Sequence, residues 1–223
     1  VLDTNNEALI PTDSNLTGTY YLWILAKDNV GNKTIQKSEA YYLDNTAPTI
    51  PTINLNGYTS GEWTNQSIAI LYSSTDDHSG ILKYQWATMP NATDPNWRDI
   101  NPSTSFNVGW SVAHNLYIRA VDKLGNKSAA SQLVVIKSDR TAPQITFTEN
   151  ENDVYAKNHT AKVKVTDIPN PNPSSIGSGL GTLKYIWSQS STSISETDFA
   201  TAQSFVLDTN NEALIPTDSN LTG

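Results

Sequence analysis

The sequence predicts an all-β protein made of tandem β-sandwich modules in a rod-like array, and three observations carry that expectation. Residues Val1–Gly18 (VLDTNNEALIPTDSNLTG) recur letter for letter at Val206–Gly223, which sets a period of 205 residues. A fixed period of self-similarity is the signature of a repeat architecture. Inside it lies a weaker repeat of three signatures: DxTAP at Asp44–Pro48 and Asp139–Pro143, LKYxW at Leu82–Trp86 and Leu183–Trp187, and AxDxxGN at Ala26–Asn32 and Ala120–Asn126. Finally, the apolar residues alternate over short segments, and Pro, Asn, Asp, Gly and Ser punctuate the chain as they do in sandwiches.

The internal signatures set the module size. Pro48 and Pro143 are 95 residues apart, which leaves 110 of the 205-residue period for the second module. Both are the size of a sandwich domain, about 100 residues. The chain therefore reads as 1–43, the C-terminal part of one module; 44–139, a complete module; and 140–223, the N-terminal part of the next. The partial modules are expected to be completed by continuation of the parent protein in both directions, or by halves of different molecules complementing each other. The identical segments lie inside the longer module, away from its joints.

Each element follows from local chemistry. Leu22, Ile24 and Ala26 alternate, as do Leu116, Ile118 and Ala120, giving a strand with one buried face. Each strand runs into Asp-x-x-Gly-Asn, where Gly31 and Gly125 can take the positive φ of a tight turn and Asp28 and Asp122 can hold backbone N–H groups. Thr34–Leu43 and Ser128–Ile136 complete these closing hairpins. Ser67–Tyr72 and Lys162–Val165 read as early strands. Leu82–Ala87 and Leu183–Ser188 read as central strands, with Trp86 and Trp187 packing in the core or, alternatively, stacking on sugar. Ile168–Gly181 is a long surface loop, matched in the other module by the shorter Thr75–Gly80. The DxTAP segments are joints, because proline fixes its own φ and extends the residue before it.

Composition narrows the function. The net charge is −8 with no basic patch, which argues against a nucleic-acid partner. No apolar run is long enough to span a membrane. Cysteine is absent, so no disulfide staples the sandwiches, as in a bacterial surface module. Six Trp and ten Tyr argue against disorder. The Asn-x-Ser/Thr sequons read as polar surface. His78, His114 and His159 fall in unrelated segments without metal-ligand spacing, and no nucleophile elbow, P-loop or dinucleotide fingerprint occurs. No enzyme activity, catalytic residue or cofactor is expected.

The ordered recurrence of DxTAP, LKYxW and AxDxxGN resembles the bacterial immunoglobulin-like tandem repeats of large surface and adhesin proteins of the Gram-positive type. The resemblance implies a β-sandwich fold, an extracellular position on the bacterial cell surface, a stalk or adhesive role, and no catalytic residues. The leading functional expectation is a structural spacer of a long surface fibre, whose partners are neighbouring repeats of the same chain and which can self-associate. The alternative is binding of a host or surface glycan or protein by many copies at once, with Trp63, Trp97 and Trp110, outside the clearest strands, as ligand-contact candidates if exposed; partial burial at sandwich ends or joints is the favoured reading of these three. An accessory module of a secreted enzyme is a third class. Asp76, Asp77 and His78, and Asp3, Asn5, Asn6 and Glu7, form polar clusters. They read as solvated turns, with calcium as the alternative. Lys83 and Lys184 are weighed as crosslink donors but read as snorkelling to solvent.

Overall fold

The computed structural model describes residues 4–91, 93–100, 105–109, 112–149, 158–167, 177–189 and 193–217. The described residues are all-β, with two short 3-10 turns at Asp94–Asn96 and Glu196–Phe199. The first strands are β1 (Gly18–Lys27) and β2 (Lys33–Leu43). Then come β3 (Thr52–Asn54), β4 (Trp63–Thr64), β5 (Ile68–Ser73), β6 (Ile81–Ala87), β7 (Arg98–Ile100), β8 (Ser105–Val108), β9 (Val112–Asp122) and β10 (Val134–Ser138). The last are β11 (Gln144–Glu149), β12 (Thr160–Thr166), β13 (Lys184–Tyr185), β14 (Gln203–Ser204) and β15 (Glu212–Pro216). Contacts divide the chain into two compact units: Val1–Thr59, Ala69–Asn107 and Asn115–Val135 form one, and Ser60–Ile68, Val108–His114 and Ile136–Gly223 the other.

In the first unit, β1 and β2 form an antiparallel hairpin from Gly18↔Leu43 to Lys27↔Lys33, with a bulge between Tyr21 and Trp23 where the Leu22 amide bonds the Ser38 hydroxyl. β3 pairs with β5, and β6 pairs on one edge with β7 and on the other with β9. These two layers meet at Tyr72 and Tyr84, whose rings are edge-to-face with centroids 4.8 Å apart. The Tyr84 hydroxyl accepts from the Ser74 amide, so a buried phenol keeps a partner. Around them Ile70, Leu116, Ile118 and Ala120 are at most 1% exposed, the even positions the alternation predicts. Beyond β9, Ser128 and Ser131 follow its outer edge. Their hydroxyls accept from the Ala120 and Ile118 amides, and their own amides donate back to the same residues' carbonyls.

The core aromatic of β6 is Tyr84, where Trp86 was expected. Trp86 stands opposite Ile118 but is only half-buried, under the Arg98 guanidinium, 5.4 Å from its ring. Both side chains point to the same face of β6, and the phenol is the one that reaches the opposing sheet.

In the second unit, β4 runs parallel to the end of β10, pairing Trp63 with Lys137 and Thr64 with Ser138. β11, β12 and β15 form a three-stranded sheet in that order, and β13 pairs with β14. Their shared core is small: Val163, Val165 and Ile215, flanked by half-buried Leu180, Leu183, Tyr185, Phe205, Leu207 and Ala213. β13 is two residues long, whereas Leu183–Ser188 was expected as a central strand. β6, the other LKYxW strand, runs seven residues with partners on both edges. Ladder pairing on a second edge is what extends it.

Candidate functional site

The residues with chemistry to offer gather at the two DxTAP segments, and they do the same thing at both. Asp44 accepts from the Thr46 amide at 3.0 Å and, through its other oxygen, from the Ser79 amide at 3.0 Å. Asp139 accepts from the Thr141 amide at 3.1 Å and the Ser178 amide at 2.7 Å. The next residue of each segment reaches the opposite way along the chain. The Asn45 side-chain amide donates to the Leu16 carbonyl at 2.6 Å, and the Arg140 guanidinium donates to the Gly109 carbonyl at 3.2 Å. The aspartate thus grips the loop that follows in sequence, and its neighbour grips a carbonyl of a segment that precedes. The Asn45 amide and Thr46 hydroxyl add two bonds to the Thr17 hydroxyl.

The gripped loops also match. Asp76 accepts from the Gly80 amide at 2.7 Å, and Asp167 accepts from the Gly179 amide at 2.7 Å. Both glycines have positive φ, 80° and 86°, which favours glycine at that position. The signal was in the sequence, as Thr-Asp and then Ser-Gly ahead of each LKYxW, but it gave no hint that the partner was the DxTAP aspartate. The first nine residues of the long loop, 168–176, lie outside the described residues.

The Asp-x-x-Gly-Asn turns form as their residues dictate. The Asp122 carboxylate accepts from the Leu124 amide at 2.9 Å and the Asn126 amide at 2.7 Å with one oxygen, and from the Asn126 side chain at 2.7 Å with the other. Asp28 makes the same three bonds to Val30 and Asn32, at 3.0, 2.8 and 2.6 Å, and these hold its carboxyl below the usual range, the Asn32 side chain most of all. A third copy went unrecognised in the sequence. Asp208 accepts from the Asn210 and Glu212 amides, and Asn211 replaces the glycine at φ 63°. Asparagine tolerates that region better than other side chains. Asn6, in the identical N-terminal segment, has φ 64°. Asp3 lies outside the described residues, but the matching Asp208 is a turn former.

The Asp122 turn also reaches the first DxTAP segment. Asn126 donates to the Asp44 carbonyl at 3.1 Å, and carboxylate oxygens of Asp44, Asp76 and Asp122 lie within 4.8 Å of one another. They form the one such group of acidic, His or Cys side chains found among the described residues. Asp44 and Asp122 are buried, so this cluster differs from the solvated Asp76–Asp77–His78 turn expected from sequence. Hydrogen bonding at Ser79 holds the Asp44 carboxyl below the usual carboxylate range. Oxygen donors of this kind suit a hard divalent cation such as calcium, which takes six to eight oxygens. Here three side chains would supply part of a shell while also holding backbone amides.

The three tryptophans singled out by sequence do not come together. Trp97, for which partial burial was the favoured reading and exposure the condition for ligand contact, is 6% exposed. The Arg119 guanidinium stacks on it, 4.5 Å from the ring centroid, and bonds Gln85 at 2.8 Å and Asp94 at 2.7 Å. A buried arginine needs that cover, and the indole supplies it. Trp63 is half-buried on β4, with the Lys137 ammonium 5.9 Å from its ring. Trp110 lies outside the described residues. Lys83 forms an ion pair with Asp99 at 2.8 Å, and the Lys184 ammonium donates to the Phe199 and Ala200 carbonyls.

No protein-family model matches the chain, and no curated protein matches it. Among solved structures it is similar to one described as a tetra-tandem repeat in the extending region of a large adhesion protein, at 13% identity and a TM-score of 0.32. The match covers 91% of this chain and 49% of that one, so the chain spans about half the length of the structure it matches. No helix among the described residues is long and apolar enough to cross a membrane.

Proposed function

We propose that this chain is a spacer repeat of a long extracellular fibre or adhesin on a bacterial surface, with immunoglobulin-like modules joined in a rod-like array at DxTAP. The observation that carries the reading is the two-way grip of each joint. Asp44 and Asp139 bond the following loop, while Asn45 and Arg140 bond the preceding carbonyl. A joint bonded on both sides and carrying a proline has little freedom left. Its partners are neighbouring repeats, and its acidic surface keeps such chains soluble and apart. Ligand binding by multivalency is the second reading. It now rests on Trp63 and Trp110, since Trp97 is occupied by Arg119. Solution scattering of the chain and of an Asp44→Ala/Asn45→Ala variant, run beside a glycan array, tests the proposal. The spacer reading expects greater flexibility in the variant and no glycan bound by either. Glycan binding that Trp63→Ala abolishes, or identical scattering of the two chains, would refute it.

A further inference from the structure

Asparagine is followed by glycine once in the 223 residues, at Asn56–Gly57, just beyond β3. The Tyr58 amide donates to the Leu55 carbonyl at 3.0 Å and closes a four-residue turn around the pair. Asn56 has φ 49° and Gly57 φ 93°. Positive φ at both central residues defines a type I′ turn, for which Asn-Gly is a favoured pair. Both residues are exposed. The turn is anchored on either side of them. The Asn56 amide donates to the Asn54 side-chain oxygen at 2.8 Å, and the Tyr58 hydroxyl donates to the Val135 carbonyl of β10 at 3.2 Å.

Between those anchors the peptide joining Asn56 to Gly57 is held by nothing. Among the described residues, the Asn56 carbonyl, the Asn56 side chain and the Gly57 amide make no hydrogen bond. A β-carbon added at Gly57 would meet nothing within 4 Å, so the turn has room to move on that side. Other turn asparagines are placed differently. The Asn32 and Asn126 side chains are tied to Asp28 and Asp122, and a lysine follows each. Asn56 thus combines an untied side chain with a following nitrogen that no β-carbon shields.

We infer that Asn56 is a site of spontaneous covalent modification, at which the chain loses ammonia, gains a carboxylate and, in one of two products, opens this turn. The Gly57 nitrogen gives up its proton to a base in the solvent and attacks Cγ of Asn56. The N–Cγ bond forms, the Cγ–Nδ2 bond breaks, and Nδ2 takes up a proton and leaves as ammonia. A cyclic imide remains. Glycine permits this because it has no β-carbon to crowd the approach and its backbone turns freely. Water then adds to either imide carbonyl. Breaking the bond from nitrogen to Cγ restores the peptide and gives aspartate. Breaking the bond from nitrogen to the main-chain carbonyl carbon leaves the chain running through Cγ, as isoaspartate, with a methylene added to the backbone. Aspartate suits the same turn, since Asp-Gly is also a favoured type I′ pair. Isoaspartate does not: the added methylene separates the Leu55 carbonyl from the Tyr58 amide and loosens the tie from Tyr58 to β10. Because ammonia is lost, the change runs one way and marks the age of a chain.

Peptide mapping by mass spectrometry tests this, with the folded chain held in mildly alkaline buffer at physiological temperature and a urea-unfolded sample as the positive control. The mass gain of exchanging NH for oxygen is expected in the Asn56 peptide of the folded chain before any other asparagine peptide, as two separable products, and not in Asn56→Gln. Hydrogen exchange at the Tyr58 amide is expected to quicken in the isoaspartyl product and to stay at the wild-type rate in Asn56→Asp, which carries the charge without the longer backbone. Asn56 that stays intact in the folded chain overturns the inference, and so does conversion that begins at another asparagine or an isoaspartyl product with wild-type exchange at Tyr58. The spacer reading is judged separately, by scattering and glycan binding.

Discussion

Removing the Asp122 carboxylate should show how much of the sandwich hangs on one turn. Asp122 is 0% exposed and receives three N–H groups, two of them from the backbone. A hydrogen bond to a charged group contributes about 1.5–3 kcal/mol. Asp122→Ala leaves the Leu124 and Asn126 amides without an acceptor. Water can reach the exposed Leu124 end, so the low end of the range applies to that bond. The expected cost is about 3–5 kcal/mol, read as faster native-state amide exchange at Ile118 and Ala120 and a lower urea midpoint. Asp122→Asn keeps an oxygen for the two backbone amides and eases repulsion from Asp44 and Asp76, so it should cost about 1–2 kcal/mol. Asp28→Ala is the control. It breaks the same three bonds on an exposed hairpin, where water replaces the carboxylate, and should speed exchange only at Val30 and Asn32. The reasoning fails if Asp122→Ala costs less than about 1 kcal/mol, or if Asp28→Ala lowers the urea midpoint as much.

Three further outcomes are expected. The Ser138 hydroxyl is buried without a hydrogen-bond partner, so Ser138→Ala should be neutral or stabilise by about 1 kcal/mol in urea unfolding. Burial raises the Tyr72 phenol to about 12. A group whose pKa is higher folded than unfolded gives stability that is present below the unfolded value, about 10, and lost as pH rises through the folded one. Stability should therefore fall between pH 10 and about 12, and Tyr72→Phe should flatten that fall in an alkaline urea series. Calcium added to chelator-treated protein should raise the melting temperature by relieving repulsion among Asp44, Asp76 and Asp122. An unchanged melting temperature would mean that the N–H bonds alone satisfy the three carboxylates.

Much of the fold was legible because it is local. The alternation of Leu116, Ile118 and Ala120 marks a strand wherever it occurs, and all three are buried. Asp-x-x-Gly-Asn closes its own turn through bonds spanning two and four residues, so Asp28 and Asp122 could be assigned from spacing. The DxTAP segment was harder. The motif was visible, but Asp44 bonds Ser79, 35 residues on, and its carbonyl receives Asn126, 82 residues on. No spacing rule covers such separations. The sequence left the surroundings of Trp97 open for a related reason. Residue type alone could not show that Arg119 needs an aromatic cover and that Trp97 is the ring within reach.

The sequence by itself determined the strands, the turns and the repeat, since periodicity, turn chemistry and identity are properties of neighbouring or copied residues. It also named the hairpin that follows Val206–Gly223 wherever the repeat continues. Only the tertiary structure decided which side chains meet. The same alternating strand is buried as β9 and exposed as β1, because burial depends on whether β6 or an equivalent strand lies beside it. Likewise Asp44, Asp76 and Asp122 become one cluster only when three distant turns are brought to one place.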